Sequence, residues 1–293
     1  MSEMLSKRRY FFLKIAALLN VVRWYNILLV ALIQYTSVLF VYESEKTKIE
    51  LLKDINLHLI VFATAFVVAS GFLLNSFYNL EKDLINRPKK TISEQIVGKR
   101  WIINTYFIFS CLGPLISIFI SRNVFIFYLI FCVAIWFYFH KLQKLPILRE
   151  VSASFLSIAS FVCVAIYFNI FTFFLLAYGI LFTIIIFTRE IIKGLENHKG
   201  DKRLGYSSLA VLIGKKWTKR LVLGLMFISV GVISFLIRET ENSQFVVITS
   251  LLGLLIAFAG IVLLQSNSSK DFSRINYIYK WLILCGLIAT VLL

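Results

Sequence analysis

Acidic residues and prolines are scarce in this chain, and each scarcity narrows what the protein can be. Only 15 Asp and Glu accompany 31 Lys and Arg, which gives a formal net charge of +16. There are three prolines, and no stretch is rich in Gly, Ser or Pro, so the sequence offers no flexible linker between domains. We therefore expect a single domain over residues 1–293.

Cysteine and histidine are also few, and their spacing excludes the common sites built from them. The four cysteines lie in apolar stretches and form no CxxC pair. The three histidines are scattered, and none has a second histidine at ligand spacing. The cysteines are thus expected to be buried small hydrophobic residues, and neither a disulfide framework nor a thiolate metal site is predicted. These cysteines are Cys111, Cys132, Cys163 and Cys285.

Long apolar runs make up most of the sequence. Hydrophobic residues account for 59% of the chain, which is more than a single soluble core of this size can bury. A run of about 20 apolar residues matches the thickness of a bilayer, and the polar alternation of a membrane barrel is absent. The sequence predicts an all-α fold, a polytopic membrane helical bundle of about nine transmembrane helices. They lie near residues 18–42, 57–79, 102–121, 124–140, 147–168, 171–188, 220–237, 245–265 and 275–293.

Basic residues are distributed unevenly over the loops. If the N-terminus is cytoplasmic, 25 Lys and Arg lie on the cytoplasmic side and five on the opposite side, while Lys280 lies inside the last span. This asymmetry follows the positive-inside rule. It predicts a multi-pass protein of the cell (inner) membrane with a cytoplasmic N-terminus, an interfacial helix before the first span, and an external C-terminus. The positive charge is thereby explained by the lipid bilayer, and no nucleic acid partner is expected.

Polar side chains end the second predicted span, in the stretch NSFYNLEKDLINRPKK at residues 75–90. Positions four apart stay on one side of a helix, so Asn75, Asn79 and Asp83 share a face. Polar residues at span ends often only sit among lipid headgroups, and basic ones extend to the surface. However, a charged residue inside a span costs roughly 2.5–3.5 kcal/mol. Asn75 lies about two turns inside the boundary, which favours a functional role.

A second polar strip ends the sixth predicted span. Arg189, Lys193 and Asn197 share one helical face, and Asp201 follows just beyond. We expect the two strips to face each other across a cavity open to the cytoplasm. Hard oxygen atoms would bind Mg²⁺, while Arg and Lys would bind the oxygens of a diphosphate.

The two strips resemble the motifs of the UbiA family of intramembrane aromatic prenyltransferases. Residues 75–88, NSFYNLEKDLINRP, are similar in register to the first aspartate-rich motif, NDxxDxxxD, which ends span two. The stretch REIIKGLENHKGDKRLGYSSLAVLIGKK, from residue 189, is similar to the second acidic motif, after span six. VRWYN at 22–26 and FYFHKLQKLP at 137–146 resemble two shorter elements of the family. The resemblance covers essentially the whole chain.

Four acids of the family's motifs are absent from this sequence. Ser76 and Asn79 stand at two aspartate positions of the first motif, and Gly194 and Asn197 at two acidic positions of the second. An amide oxygen can bind Mg²⁺ but brings no charge. We therefore expect metal binding weaker than the intact motifs would give.

The resemblance implies a Mg²⁺-dependent transfer of an isoprenyl group from its diphosphate to an aromatic or lipid acceptor in the membrane. It places the catalytic acids at Asp83 and Asp201. The metal ligands are expected to be Asn75, Asn79, Asp83, Glu196 and Asp201. The diphosphate contacts are expected to be Arg23, Asn26, Arg87, Lys141, Lys144, Arg189 and Lys193. Lys141 and Lys144 are both retained because they flank Gln143, the position that aligns best with the family's lysine.

Two other functions stay open at this point. The missing acids favour a weakened or inactive family member that binds an isoprenoid lipid or a partner. A small transporter could use the same polar cavity, although the paired Gly- or Pro-broken spans typical of such proteins are absent. A quinone precursor, a glycerophosphate lipid and a porphyrin-like ring all remain candidate acceptors.

Overall fold

Helices form almost all of the computed structural model, which describes residues 7–41, 47–86, 91–169, 172–203, 205 and 208–291. No strand occurs in these ranges, so the predicted all-α class is confirmed. The α-helices are α1 Lys7–Val21, α2 Trp24–Thr36, α3 Lys48–Leu52, α4 Ile55–Asn86, α5 Ile92–Val97, α6 Lys99–Ser117, α7 Arg122–His140, α8 Leu148–Phe168, α9 Phe173–Glu196, α10 His198–Arg203, α11 Leu209–Leu212, α12 Gly214–Arg238, α13 Ser243–Gln265 and α14 Ser269–Val291.

Six of the described helices are long and apolar enough to cross a membrane: α4, α7, α8, α9, α12 and α13. A seventh crossing is possible if α1 and α2, which are bent by 51° at their junction, act as one broken span. The predicted spans 102–121 and 275–293 coincide with α6 and α14, which are not among these candidates. The count of nine is therefore not confirmed and stays a prediction.

The chain divides into two compact units, which we describe separately. Unit 1 contains residues 1–32 and 52–140, and unit 2 contains residues 33–51 and 141–293. The single domain expected over residues 1–293 stays a prediction.

In unit 1, α4 packs along α6 and α7, and α1 packs on α5. Gly113 lets α6 come close to α4, because a Cβ atom at this position would collide with the Val67 side chain and lie 3.2 Å from the Ala63 carbonyl oxygen. Small residues at such contacts are typical of helix packing in membranes, where close backbone approach replaces the hydrophobic effect.

In unit 2, α9 is the central helix and contacts α8, α12 and α14. The Tyr178 hydroxyl on α9 donates to the Gly286 carbonyl on α14 at 2.5 Å. A π-helical segment, Ser37–Val41, contacts α8 and α14, and the nearby Gln34 amide donates to the Ser160 carbonyl at 2.8 Å. These contacts join α9 to α14 near the start of α9, and they join residues 34–41 to α8 and α14.

Candidate functional site

The first polar strip lies on α4 in unit 1, as its periodicity predicts. The Asn79 Nδ2 atom donates to Asn75 Oδ1 at 2.9 Å, which links two predicted metal ligands. Asn79 is 5% exposed, whereas Asn75 and Asp83 are partly exposed. Arg87, a predicted diphosphate contact, lies outside the described residues.

A glutamate from a different helix joins this strip. The Ser76 hydroxyl donates to Glu94 Oε1, on α5, at 2.9 Å. Ser76 is three residues before Asn79 and seven before Asp83, so it belongs to the same face of α4. Sequence analysis missed Glu94, since periodicity within one helix does not reveal which residue of another helix meets it.

Two predicted diphosphate contacts lie at the bend between α1 and α2. Arg23 has a φ of 53°, which is rare for a residue with a side chain, and its carbonyl accepts from the Asn26 backbone N–H at 2.7 Å. The Arg23 guanidinium lies over the Phe72 ring, 5.2 Å from its centre. The bend thus holds Arg23 against α4 within unit 1.

The second polar strip, in unit 2, contains a compact group of charges near the end of α9. Glu190 lies between two predicted diphosphate contacts: its carboxylate is 3.6 Å from Arg189 Nη1 and 3.1 Å from Lys193 Nζ. The three side chains are partly buried. Glu190 therefore holds both cations in place, a role that sequence analysis did not give it.

Asp201, a predicted catalytic acid, forms a buried ion pair. Its side chain is fully buried, and its Oδ2 atom lies 3.1 Å from Nη1 of Arg149, at the start of α8. Sequence analysis assigned Arg149 to the basic cytoplasmic loops, so it missed this pairing. A charged residue at the start of an apolar span was the available signal.

Glu196 is also engaged by a neighbouring helix. Its Oε2 atom accepts from Asn276 Nδ2 at 2.9 Å, and its backbone carbonyl accepts from the Ser269 hydroxyl at 2.7 Å. Both partners belong to α14, so this helix fixes the position of a predicted metal ligand.

The two lysines expected to contact diphosphate are both solvent-exposed. Lys141 precedes a short 3₁₀ turn, Leu142–Lys144, and Lys144 ends it, while Gln143 between them is buried. Among the contacts of the described residues, neither lysine meets the charged group on α9, so the assignment of both lysines to the diphosphate remains a prediction.

The oxygen donors of both strips fit Mg²⁺. Within the described ranges, no three His, Cys, Asp or Glu side chains form a metal-binding group. Mg²⁺ does not require one, because it is commonly held by one or two carboxylates, substrate phosphates and water. Asp83 in unit 1, and Asp201 and Glu196 in unit 2, could supply such carboxylates. Whether the two strips share one cavity stays a prediction, since they lie in different units.

A separate cavity of about 360 Å³ lies in unit 2, at the N-terminal end of α12. It contains none of the predicted site residues. Its lysines are of the kind that the positive-inside rule places at the cytoplasmic surface. The residues lining it are Lys215, Lys216, Lys219, Arg220, Leu223, Leu264 and Asn267.

Comparison with known families decides the identity of this fold. The model of the UbiA prenyltransferase family matches residues 48–284. The chain belongs to the UbiA prenyltransferase family. It is accordingly an integral membrane protein, as the apolar helices indicate, and the resemblance of the sequence to this family is confirmed.

Several UbiA relatives carry the name digeranylgeranylglyceryl phosphate synthase. The protein of this name from Methanobrevibacter smithii is 26% identical over 247 residues, covering 80% of this chain and 86% of the relative. The one from Sulfolobus acidocaldarius is 30% identical over 169 residues, covering 55% of this chain and 60% of the relative.

Solved structures share the fold of this UbiA protein. One, of digeranylgeranylglyceryl phosphate synthase in membranes, has a TM-score of 0.72 at 21% identity and covers 95% of this chain and 97% of its own. A UbiA homolog from Archaeoglobus fulgidus bound to GPP and Mg²⁺ has a TM-score of 0.66 at 14% identity and covers 94% and 99%. At these identities, the likeness establishes the fold alone.

Proposed function

We propose that this chain is a Mg²⁺-dependent prenyltransferase that moves an isoprenyl group from its diphosphate to a glycerophosphate lipid. The observation that carries the proposal is the charged group at the end of α9, in which Glu190 holds Arg189 and Lys193 beside the buried Arg149–Asp201 pair. The names of the relatives favour the lipid acceptor over an aromatic one. The homolog bound to GPP and Mg²⁺ supports a diphosphate substrate and a metal.

The proposed site residues would have separate roles in binding the metal and the diphosphate. Asn75, Asn79 and Asp83 would be the Mg²⁺ ligands of unit 1, and Asp201 and Glu196 would be those of unit 2. The bound metal would neutralise negative charge on the diphosphate leaving group. Arg189 and Lys193 would turn from Glu190 to the diphosphate oxygens, because charge-assisted bonds to phosphate are strong. The bond between the allylic carbon and the diphosphate oxygen would then break, and diphosphate would leave. The acceptor hydroxyl oxygen would bond to the allylic carbon, and the hydroxyl proton would pass to water.

A catalytically inactive member that binds an isoprenoid lipid is the second candidate. The pairing of Asp201 with Arg149 and the mutual hydrogen bond of Asn75 and Asn79 favour it, because each leaves fewer oxygen atoms available to a metal. A transporter lacks comparable support in the described contacts.

Product formation by the purified protein tests the proposal. The full chain in detergent would be incubated with geranylgeranyl diphosphate and a prenylated glycerophosphate, with Mg²⁺ or with EDTA. Metal-dependent release of diphosphate together with a doubly prenylated lipid is expected. Reaction with only an aromatic acceptor would contradict the lipid assignment. Saturable diphosphate binding without product from any acceptor would establish the inactive member instead.

A further inference from the structure

Basic side chains surround the cavity at the N-terminal end of α12, in unit 2. Among the described residues, its lining contains four basic side chains, one asparagine and two leucines, but no acid. The positive-inside rule requires such residues only to lie on the cytoplasmic side, and it does not require them to face a common space. Placing four like charges around one cavity of about 360 Å³ costs electrostatic energy, which a bound anion would offset. The basic residues are Lys215, Lys216, Lys219 and Arg220.

The acid closest to this lining in the sequence, Asp271, is engaged by other groups. Its Oδ2 atom accepts from the backbone N–H groups of Asn267 and Ser268, at 3.2 and 2.9 Å, and from the Ser268 hydroxyl at 2.7 Å. Its Oδ1 atom lies 4.0 Å from Nη1 of Arg274. Within the described contacts, Asp271 therefore holds the turn before α14 and meets no basic side chain of the cavity.

Lys219 joins the two helices that form the cavity. Its Nζ atom donates to the backbone carbonyls of Leu264, at 3.3 Å, and Ser266, at 2.8 Å. Both carbonyls lie at the end of α13, where a helix leaves carbonyl groups without an internal partner. An ammonium group has three donors, so one remains for a ligand. The ammonium of Lys219 is thus held in position at the cavity by α13.

Apolar side chains form the remaining wall of the cavity. Leu223 on α12 and Leu264 on α13 both line it, and Leu264 is 62% exposed. No charged residue follows Arg220 on α12 until Arg238, so the basic residues lie where the apolar part of a candidate membrane span begins. The exposed Trp217 lies beside them, with the Arg220 guanidinium 4.7 Å from its ring centre, and tryptophan is typical of the membrane interface. This combination suits a ligand that is anionic at one end and apolar at the other.

We propose that this cavity, which we name the α12–α13 cavity, binds the phosphate headgroup of an anionic phospholipid from the surrounding bilayer. The phosphate oxygens would accept from the basic residues, and an acyl chain would run along Leu223 and Leu264. Basic pockets between membrane helices on the cytoplasmic side bind lipid headgroups of this kind. A free phosphate would use the basic residues but not the apolar wall, so the observations favour a lipid. The cavity contains none of the residues assigned to the metal or the diphosphate, and this inference does not depend on the proposed function.

Lipid binding by the purified full chain tests the proposal. Phosphatidylglycerol would be titrated into the protein in detergent, and native mass spectrometry would give the dissociation constant of the most tightly bound lipid. Phosphatidylcholine, which has no net charge, is the comparison, and we expect the parent to prefer phosphatidylglycerol. Each basic residue near a headgroup changes the affinity about fivefold, so Lys215→Gln with Lys216→Gln should weaken phosphatidylglycerol binding about 25-fold.

A matched double variant controls for the loss of charge. Lys199→Gln with Arg203→Gln removes the same charge from exposed positions on α10 that do not line the cavity. It should bind phosphatidylglycerol like the parent. We expect thermal stability without added lipid to be no lower in either double variant than in the parent, because Lys219, which holds α12 to α13, is unchanged in both.

A change in the apolar wall distinguishes a lipid from a soluble phosphate. Leu264→Asn keeps every basic residue and the backbone carbonyl that accepts from Lys219. It should weaken phosphatidylglycerol binding roughly tenfold, because apolar area would no longer be buried against the lipid. Inorganic phosphate at the same concentration as the lipid should not displace phosphatidylglycerol from the parent.

Three results would overturn the proposal. Equal phosphatidylglycerol affinity in the parent and in the variant with Lys215→Gln and Lys216→Gln would show that the lipid binds elsewhere. Equal affinity of the parent for phosphatidylglycerol and phosphatidylcholine would show that the headgroup charge is not recognised. Displacement by inorganic phosphate, with no effect of Leu264→Asn, would assign the cavity to a soluble phosphate. Because these measurements involve no prenyl transfer, a failed activity assay would contradict only the proposed function.

Discussion

Among single residues on α4, we expect Asp83 to contribute most to metal binding. The neighbouring strip positions, Asn75 and Asn79, are neutral, and their amides are hydrogen-bonded to each other. We expect Asp83→Asn to abolish Mg²⁺-dependent binding of an isoprenyl diphosphate while the protein stays folded, as measured by isothermal titration calorimetry. Glu81→Gln, at an exposed acid on the same helix, is the control. Tight metal-dependent binding by Asp83→Asn would mean that α4 does not hold the metal through this residue.

Because the Arg149–Asp201 pair is buried, removing one partner should destabilise the protein more than removing both. Removing one partner of such a pair leaves an uncompensated buried charge, which typically costs about 3–5 kcal/mol. Arg149→Met should therefore lower the free energy of unfolding by about that amount, and adding Asp201→Asn should recover much of it. The exposed Arg274–Asp271 contact, at 4.0 Å, provides the comparison, because Arg274→Gln should cost less than about 1 kcal/mol. Unfolding in mixed micelles measures these differences.

His198 on α10 gives stability a dependence on pH. Partial burial, together with the nearby Lys215 and Lys202, lowers its pKa below the usual value, and its Nδ1 atom is buried with no hydrogen-bond partner in the described ranges. The neutral form is thus favoured in the folded state. The resulting stability is present above the unfolded pKa of about 6.5 and is lost as pH falls through that value towards the folded pKa. We therefore expect a fall in pH from about 7.5 to about 5.5, on either side of the unfolded pKa of about 6.5, to lower the thermal stability of His198→Gln less than that of the parent. A variant at the exposed His140 is the control, and equal losses in all three proteins would contradict the role of His198.

At this scale, the sequence predicted residues that share a helix and missed those that meet from different helices. Asn75 and Asn79 follow from a period of 3.6, and their hydrogen bond agrees with it. Arg149 and Glu94 contact residues of other helices, so no local pattern indicates them. Which residue of α8 meets Asp201 on α10, and which residue of α5 meets Ser76 on α4, depends on how separate helices pack together.

Among elements, the contact of α4 with α6 depends on Gly113. A methyl group there would collide with Val67, and overpacking of this kind typically costs about 1–3 kcal/mol. Gly113→Ala should lower the free energy of unfolding by that amount, and Val67→Ala should relieve much of the loss in the double variant. Gly179→Ala on α9 is the matched control, since its Cβ would have nothing within 4 Å. Equal effects of the two glycine variants, measured in detergent, would show that α6 can move away from α4 without cost.

The bend between α1 and α2 could not be predicted from the sequence. Composition places an apolar span near 18–42, and the helices are there, but the chain turns by 51° at Arg23. A φ of 53° at an arginine is unusual, and the sequence carries no glycine at this position to indicate it. The bend is stabilised by the contact of Arg23 with Phe72 on α4, which is again a contact between distant segments.

For the whole molecule, the membrane side on which two loops lie distinguishes nine transmembrane spans from seven. If α6 and α14 both cross the membrane, Ser121 is external and Lys144 is cytoplasmic; if neither crosses, both positions are reversed. The uneven charge distribution favours nine crossings. Single cysteines at these two positions, in a protein with its four native cysteines replaced, should react accordingly with an impermeant maleimide added to intact cells. Labelling of position 144 but not of position 121 would contradict nine spans.

A reporter after Leu293 should be external in either case, so a cytoplasmic signal would contradict both counts.

Unit 2 combines two segments that are far apart in the sequence, and this affects how the protein is synthesised. Residues 33–51 leave the ribosome long before α14, yet their π-helical segment, Ser37–Val41, packs against α14. The intervening stretch of about 230 residues takes roughly 10–50 s to synthesise at about 5–20 residues per second. Throughout that time, the buried Ser37 and Val38 lack their final neighbour and must be covered by lipid or an insertion factor. A nascent chain arrested before α14 therefore leaves Ser37–Val41 without its packing partner and exposed to quality control.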